Sequence, residues 1–114
     1  MVTPSAPPAG RLRLRLALEK ASRVPDGAGG ATLAWSETAR FFAEVAPLRA
    51  EERADGDGLS DRITHRVTVR HRMDLAAGDR LRLGARVLVI RSVHDPHEDR
   101  RFLVCLATEE GSAS

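Results

Sequence analysis

The chain contains no tyrosine, one tryptophan, three phenylalanines and a single cysteine. One cysteine excludes an internal disulfide framework. So few aromatics leave little material for the stacking platforms that single-strand nucleic-acid binders use. No run of about 18 apolar residues occurs, which excludes a transmembrane helix. Lysine is almost missing too: Lys20 stands alone, and the remaining positive charge is arginine. Arginine favours bidentate and stacked contacts at protein interfaces. Charge of one sign does not dominate, because the formal net charge is only +2. Nucleic-acid binding would need a clustered basic face, and net charge does not supply one.

What is present suits one small β-domain. A length of 114 residues with 42% apolar content fits a single core. Met1–Gly10 is rich in proline and alanine and lacks an apolar h-region, so it does not read as a secretory signal. Residues 1–9 read as a flexible arm, 10–109 as the folded domain and 110–114 as a fraying tail.

The organising stretch is Thr64–Arg72. His65, Val67, Val69 and His71 alternate with Thr64, Arg66, Thr68, Arg70 and Arg72. A strand turns successive side chains to opposite faces, so this predicts a half-buried strand with a wet, cationic outer side. Arg11–Leu18 alternates in the same way, with Leu12, Leu14, Leu16 and Leu18 opposite Arg11, Arg13 and Arg15. Val24–Ala31 holds Pro25-Asp26-Gly27 and Gly29-Gly30, the residues of a loop or hairpin tip. Thr32–Trp35 and Thr38–Pro47 read as strand, joined into one by a bulge or interrupted by a helix starting at Ser36. Pro47 limits any such helix.

Leu48–Leu59 has no apolar period and reads as a charged, solvated loop, with a short helical turn at Arg49–Arg53 as an option. Met73–Gly78 is a connection. Asp79–Leu83 and Arg86–Val93 flank Gly84-Ala85, a two-residue hairpin signal. Val87–Ile90 is apolar on both faces and suits an interior strand. His94–Asp99 is a turn and Arg101–Thr108 the last strand. The sum is all-β: a small antiparallel barrel or sandwich of about six strands, with a long loop before the central strand.

Chemistry-bearing clusters are few. His94 and His97 share a turn with Asp95, Glu98 and Asp99, but zinc wants about four converging ligands. His65 and His71 lie about 20 Å apart along one strand and cannot share a ligand. They read as satisfied, partly buried histidines. Asp55, Asp57 and Asp61 lack the spacing and closing glutamate of a calcium loop. No nucleophile elbow or phosphate loop occurs. The expectation is no catalysis, no metal and no cofactor. Cys105, within an apolar run, reads as a buried structural thiol. Arg66, Arg70, Arg72, Arg80 and Arg82 make a candidate cationic face or ring interface, and a small nucleic-acid-binding barrel is the alternative reading.

The ordered set of segments resembles the head–tail joining family of long-tailed phages and phage-derived particles such as gene transfer agents. These proteins are also called head-closure, stopper or adaptor proteins. The residues that carry the resemblance are Gly10-Arg-Leu-Arg13, the glycine-rich tip before Trp35, Phe42–Leu48 and Thr64–Arg70. Gly78-Asp-Arg-Leu81, Arg86–Val93 and the Asp95–Asp99 turn before Arg101-Phe-Leu103 complete it. The resemblance spans Gly10–Glu109. It implies a β-barrel that forms a ring of six or twelve copies between the portal–adaptor complex and the tail terminator or tube. Such a ring retains packaged DNA and docks the tail. The protein would be cytoplasmic during assembly and then part of the particle's neck, with no membrane partner. By position, the loop Leu48–Asp61 would project toward the channel. Its candidate gating residues are Arg49, Glu51, Glu52, Arg53, Asp55, Gly56, Asp57, Gly58 and Asp61. Its five carboxylates favour steric or repulsive blockage over a grip on phosphates.

Overall fold

The structure is a computed structural model that describes residues 9–49 and 63–110. Six strands follow a single 3-10 turn at Ala9–Arg11. They are β1 (Leu14–Pro25), β2 (Ala31–Pro47), β3 (His65–Arg70), β4 (Arg80–Leu83), β5 (Arg86–His94) and β6 (Phe102–Glu110). All pairings are antiparallel, and the sheet closes into a barrel in the order β1-β2-β3-β6-β5-β4. Closure is made by β4 returning to β1, with Leu81 opposite Leu18 and Arg80 opposite Glu19. Closure removes the sheet edges that a sandwich would have to protect.

Inside the barrel, Leu16, Leu18, Val67, Val69, Leu81, Leu88, Ile90 and Cys105 are fully buried. His65, Val67 and Val69 point inward and Arg66 and Arg70 outward, as alternation requires. Thr68 departs from the expectation: it faces outward between Glu44 and Val104 yet is covered. Leu14 departs in the other direction and is 40% exposed. The strand begins only at Leu14, because the 3-10 turn and its Arg13 N–H to Arg11 O bond occupy the preceding residues. Leu12 is buried from outside the strand.

β2 is one continuous strand of 17 residues, and no helix starts at Ser36. Its bulge lies at Thr38, which falls between the pairs Leu18↔Ala39 and Glu19↔Glu37. A second bulge places Arg91 outward between Ile90↔Ala107 and Ser92↔Leu106. Gly84 opens the β4–β5 hairpin at φ 61, the positive angle that a II′ turn demands at its first corner.

The hairpin of β1 and β2 outgrows the barrel. β4 pairs with β1 only at Ala17, Leu18 and Glu19, and β3 pairs with β2 only from Ala43 to Pro47. Beyond Glu19, among the described residues, the two strands pair only with each other, as far as Pro25↔Ala31. The expected loop at Val24–Ala31 is thus shorter: its flanks are strand, and only residues 26–30 turn. Asp26 organises that tip, accepting from Ala28 N at 2.8 Å and Gly30 N at 3.0 Å. The resulting ribbon stretches the molecule to 61 × 32 × 26 Å.

Candidate interaction surfaces

The ribbon is anchored at its root by charge. Glu19 is largely buried and lies beside β4. Arg82 donates from Nε to Glu19 Oε2 at 2.8 Å, and Arg80 donates from Nη2 to Oε1 at 2.9 Å. The Arg82 hydrogen bond holds the Glu19 carboxyl below the usual carboxylate range, with burial opposing and Arg80 adding to it. The Arg80 guanidinium also stacks 4.1 Å from the centre of Trp35 on β2. Lys20 reaches Asp79 at 2.6 Å. These contacts end where the ribbon leaves the barrel. From Ala21 to Ala34 every residue is exposed, including Val24 at 42% and Leu33 at 59%.

A second feature runs across the outside of the barrel. Arg15 on β1 pairs with Phe42 on β2, and Arg70 on β3 pairs with Phe102 on β6. Ala43 opposes Val69, so one step further along that register Phe42 lies beside Arg70. The row therefore reads Arg15, Phe42, Arg70, Phe102 across four strands. Arg15 lies 5.9 Å from the Phe42 ring centre, and Arg70 lies 5.9 Å from that of Phe102. Phe102 is buried, whereas Phe42 is 53% exposed. Beside Phe42 is a half-open cavity of about 440 Å³, lined by Leu12, Phe41, Phe42, Arg70, His71 and Arg72.

The arginines of the candidate cationic face or ring interface lie on separate strands of the barrel. Arg66 and Arg70 are exposed on β3. Arg80 and Arg82 lie on β4, three places from β3 around the barrel, and are spent on Glu19. Arg72 lies past the end of β3, hydrogen-bonded to Asp74 at 2.6 Å and stacked on Phe41 at 4.3 Å. The residues that register brings together instead are Arg15, Phe42 and Arg70. A signal for them was present in the sequence: adjacent Phe41 and Phe42 on one strand must point to opposite faces, so one of them faces water.

Of the loop residues singled out from the sequence, only Arg49 is described, and it is exposed. Glu51, Glu52, Arg53, Asp55, Gly56, Asp57, Gly58 and Asp61 lie outside the described residues. The two ends of that segment are tied together. Pro47 pairs with His65, and Leu48 N donates to Thr64 O at 2.9 Å. Since β2 runs from the ribbon tip to this point, ribbon and loop leave opposite ends of the same strand.

His65 is buried against Thr64, with Nδ1 2.8 Å from the hydroxyl oxygen, and faces the Arg86–Glu109 pair. Arg86 holds Glu109 at 2.8 and 3.1 Å and keeps its carboxyl below the usual range. In the Asp95–Asp99 turn both aspartates accept from nearby backbone: Asp95 from Arg100 N at 2.8 Å and Asp99 from Arg101 N at 3.2 Å. Among the described residues no cluster of three metal-ligating groups occurs. Cys105 is buried, and burial pushes its thiol up to about 12.

A family model described as phage head completion protein matches residues 7–110. The solution structure of protein SF1141 from Shigella flexneri 2a is 25% identical and superposes with a TM-score of 0.72. That match covers 91% of this chain and 97% of the other. A chain from the virion of a native gene transfer agent particle is 33% identical with a TM-score of 0.64. It covers 88% of this chain and 94% of the other. No curated protein matches the chain.

Proposed function

From the premise that the chain belongs to the phage head completion protein family, we propose that it is a structural connector of the head–tail neck. It assembles there as a homo-oligomeric ring between the portal–adaptor complex and the tail. The ring keeps packaged DNA in the head and offers the tail a docking surface. The role is architectural, not catalytic.

The projecting ribbon is the observation that carries the reading. Two paired strands with no third neighbour are marginal in water. This ribbon nonetheless runs from Lys20↔Ser36 to Pro25↔Ala31, with Val24 and Leu33 exposed on it. Among the described residues both of its edges offer unpaired backbone groups, a hazard for a lone molecule and a means of joining for an assembled one. An arm at one end of a barrel also suits a head-to-tail contact, which closes into a ring when the rotation per copy allows. The 33% identity to a chain of a gene transfer agent virion supports the same placement.

The test is deletion of the coding sequence in a particle-producing strain, with complementation from a plasmid. The expected result is unjoined heads and free tails, with head DNA lost to added nuclease, all reversed by the wild-type chain. Normal tailed particles in the deletion strain would overturn the proposal.

A further inference from the structure

We propose that the cavity beside Phe42 is a docking site for an acidic, apolar segment of another protein of the particle. An apolar side chain of that segment enters the cavity, and its carboxylates meet Arg15 and Arg70.

Arg40, Arg72, Arg80, Arg82 and Arg86 each hold a carboxylate of this chain within 3 Å. Arg15 and Arg70 take part in no ion pair among the described residues, and they stand on either side of Phe42 in the row across the barrel. Glu44, the carboxylate next along that face of β2, is turned to Arg11 at 4.0 Å. Two guanidinium groups thus remain available for carboxylates from outside, and an arginine fork matches that group in shape as well as charge.

Phe42 is an exposed large apolar side chain set between charges. Leu12, buried, and Phe41, packed against the core, supply apolar walls. About 440 Å³ is room for one or two side chains, at the small end of ligand-pocket sizes. An aromatic anchor flanked by arginines has the composition of interface hot spots.

Protein is favoured over nucleic acid as the occupant. Single-strand binders stack successive bases on successive rings. Here Phe41 is already covered by Arg72 at 4.3 Å, and Phe102 is buried beneath Arg70 and Arg101. Phe42 is left as the single open ring of the row.

The inference rests on the connector reading for its choice of partner, a protein within the particle. The experiment replaces Phe42 by the photo-cross-linker p-benzoylphenylalanine in the full chain. The chain is incorporated into particles, irradiated, and the cross-linked peptide is sequenced. The expected product is one segment of a different particle protein, carrying at least two carboxylates beside the apolar residue attacked. In an Arg15→Gln/Arg70→Gln background its yield falls roughly tenfold, as loss of two charge-assisted contacts implies. An Arg15→Lys/Arg70→Lys background recovers part of it. Both positions are exposed strand sites, and thermal melts verify that the variants fold.

A cross-link to DNA, to a second copy of this chain or to nothing overturns the docking site. So does an unchanged yield in the glutamine background. In each of those cases the protein is still found in the particle, and the connector reading stands. Absence of the wild-type chain from purified particles overturns both.

Discussion

The Arg80 guanidinium lies 4.1 Å from the centre of the Trp35 ring and at the same time donates to Glu19 at 2.9 Å. One side chain of β4 therefore grips both strands of the projecting ribbon at the point where it leaves the barrel. Removing Glu19 would leave Arg80 and Arg82 facing each other without their shared carboxylate. Glu19→Ala is expected to cost about 2 kcal/mol, in the range for hydrogen bonds to charged groups. Urea unfolding of the two proteins at pH 7 measures it.

The same carboxyl gives a pH dependence. Its folded-state value is depressed below the ordinary 4.5, chiefly by the Arg82 hydrogen bond. A depressed carboxyl contributes stability above its unfolded value, and the contribution is lost as pH falls through the folded value. The stability gap between wild type and Glu19→Gln should therefore hold from pH 7 to about pH 5 and shrink below about pH 4. Thermal melts across that range measure it, and a gap that widens on acidification would refute the assignment.

Cys105 is buried on β6, and its thiol is pushed up to about 12. A thiol that is neither ionised nor accessible does not attack disulfide reagents. Ellman's reagent should label the native protein only through unfolding, at a rate that rises with urea as the unfolded fraction does. Rapid labelling without denaturant would contradict the burial.

Gly84 holds φ 61 with no atom near the position of a Cβ. Space is available, so only the backbone penalty acts. Gly84→Ala should cost about 1 to 2 kcal/mol, the price of a left-handed conformation for an L-residue. Equilibrium unfolding tests this, and a neutral substitution would show that the turn relaxes to another type.

The ribbon and the barrel should separate in their effects. Replacing Ser22–Ala34 by two glycines removes the exposed outer ribbon while leaving Glu19, Trp35 and every barrel pairing in place. The melting temperature is expected to change by no more than about 5 °C, since no core contact is lost. Incorporation into particles is expected to fail. A shortened chain that complements the deletion fully would remove the ribbon from the assembly mechanism.

Much of the fold was legible because burial on one face leaves a period-two trace. Val67 and Val69, Leu16 and Leu18, and Leu88 and Ile90 all announce the barrel interior in this way. The ribbon was not legible as such. Ala21 to Ala34 mixes small, polar and turn residues, because none of the described residues packs against either face, and alternation has nothing to report there. The early end of the Arg11–Leu18 pattern was hidden for a different reason. Leu12 is buried from the irregular step between the 3-10 turn and the strand, and imitates a strand position. Arginines on β3 and β4 look alike in sequence, while barrel order sets them apart and Glu19 neutralises one group. Arg15, Phe42 and Arg70 belong together only through register, which long-range pairing fixes.

The most direct test of the connector is cryo-electron microscopy of the neck of purified particles from the producing organism. The account predicts a ring of closed six-stranded barrels between head and tail, each with its β1–β2 ribbon laid against a neighbouring chain and its Phe42 face covered. Density for the neck that accommodates no such barrel, or barrels whose ribbons stand free in solvent, would contradict it.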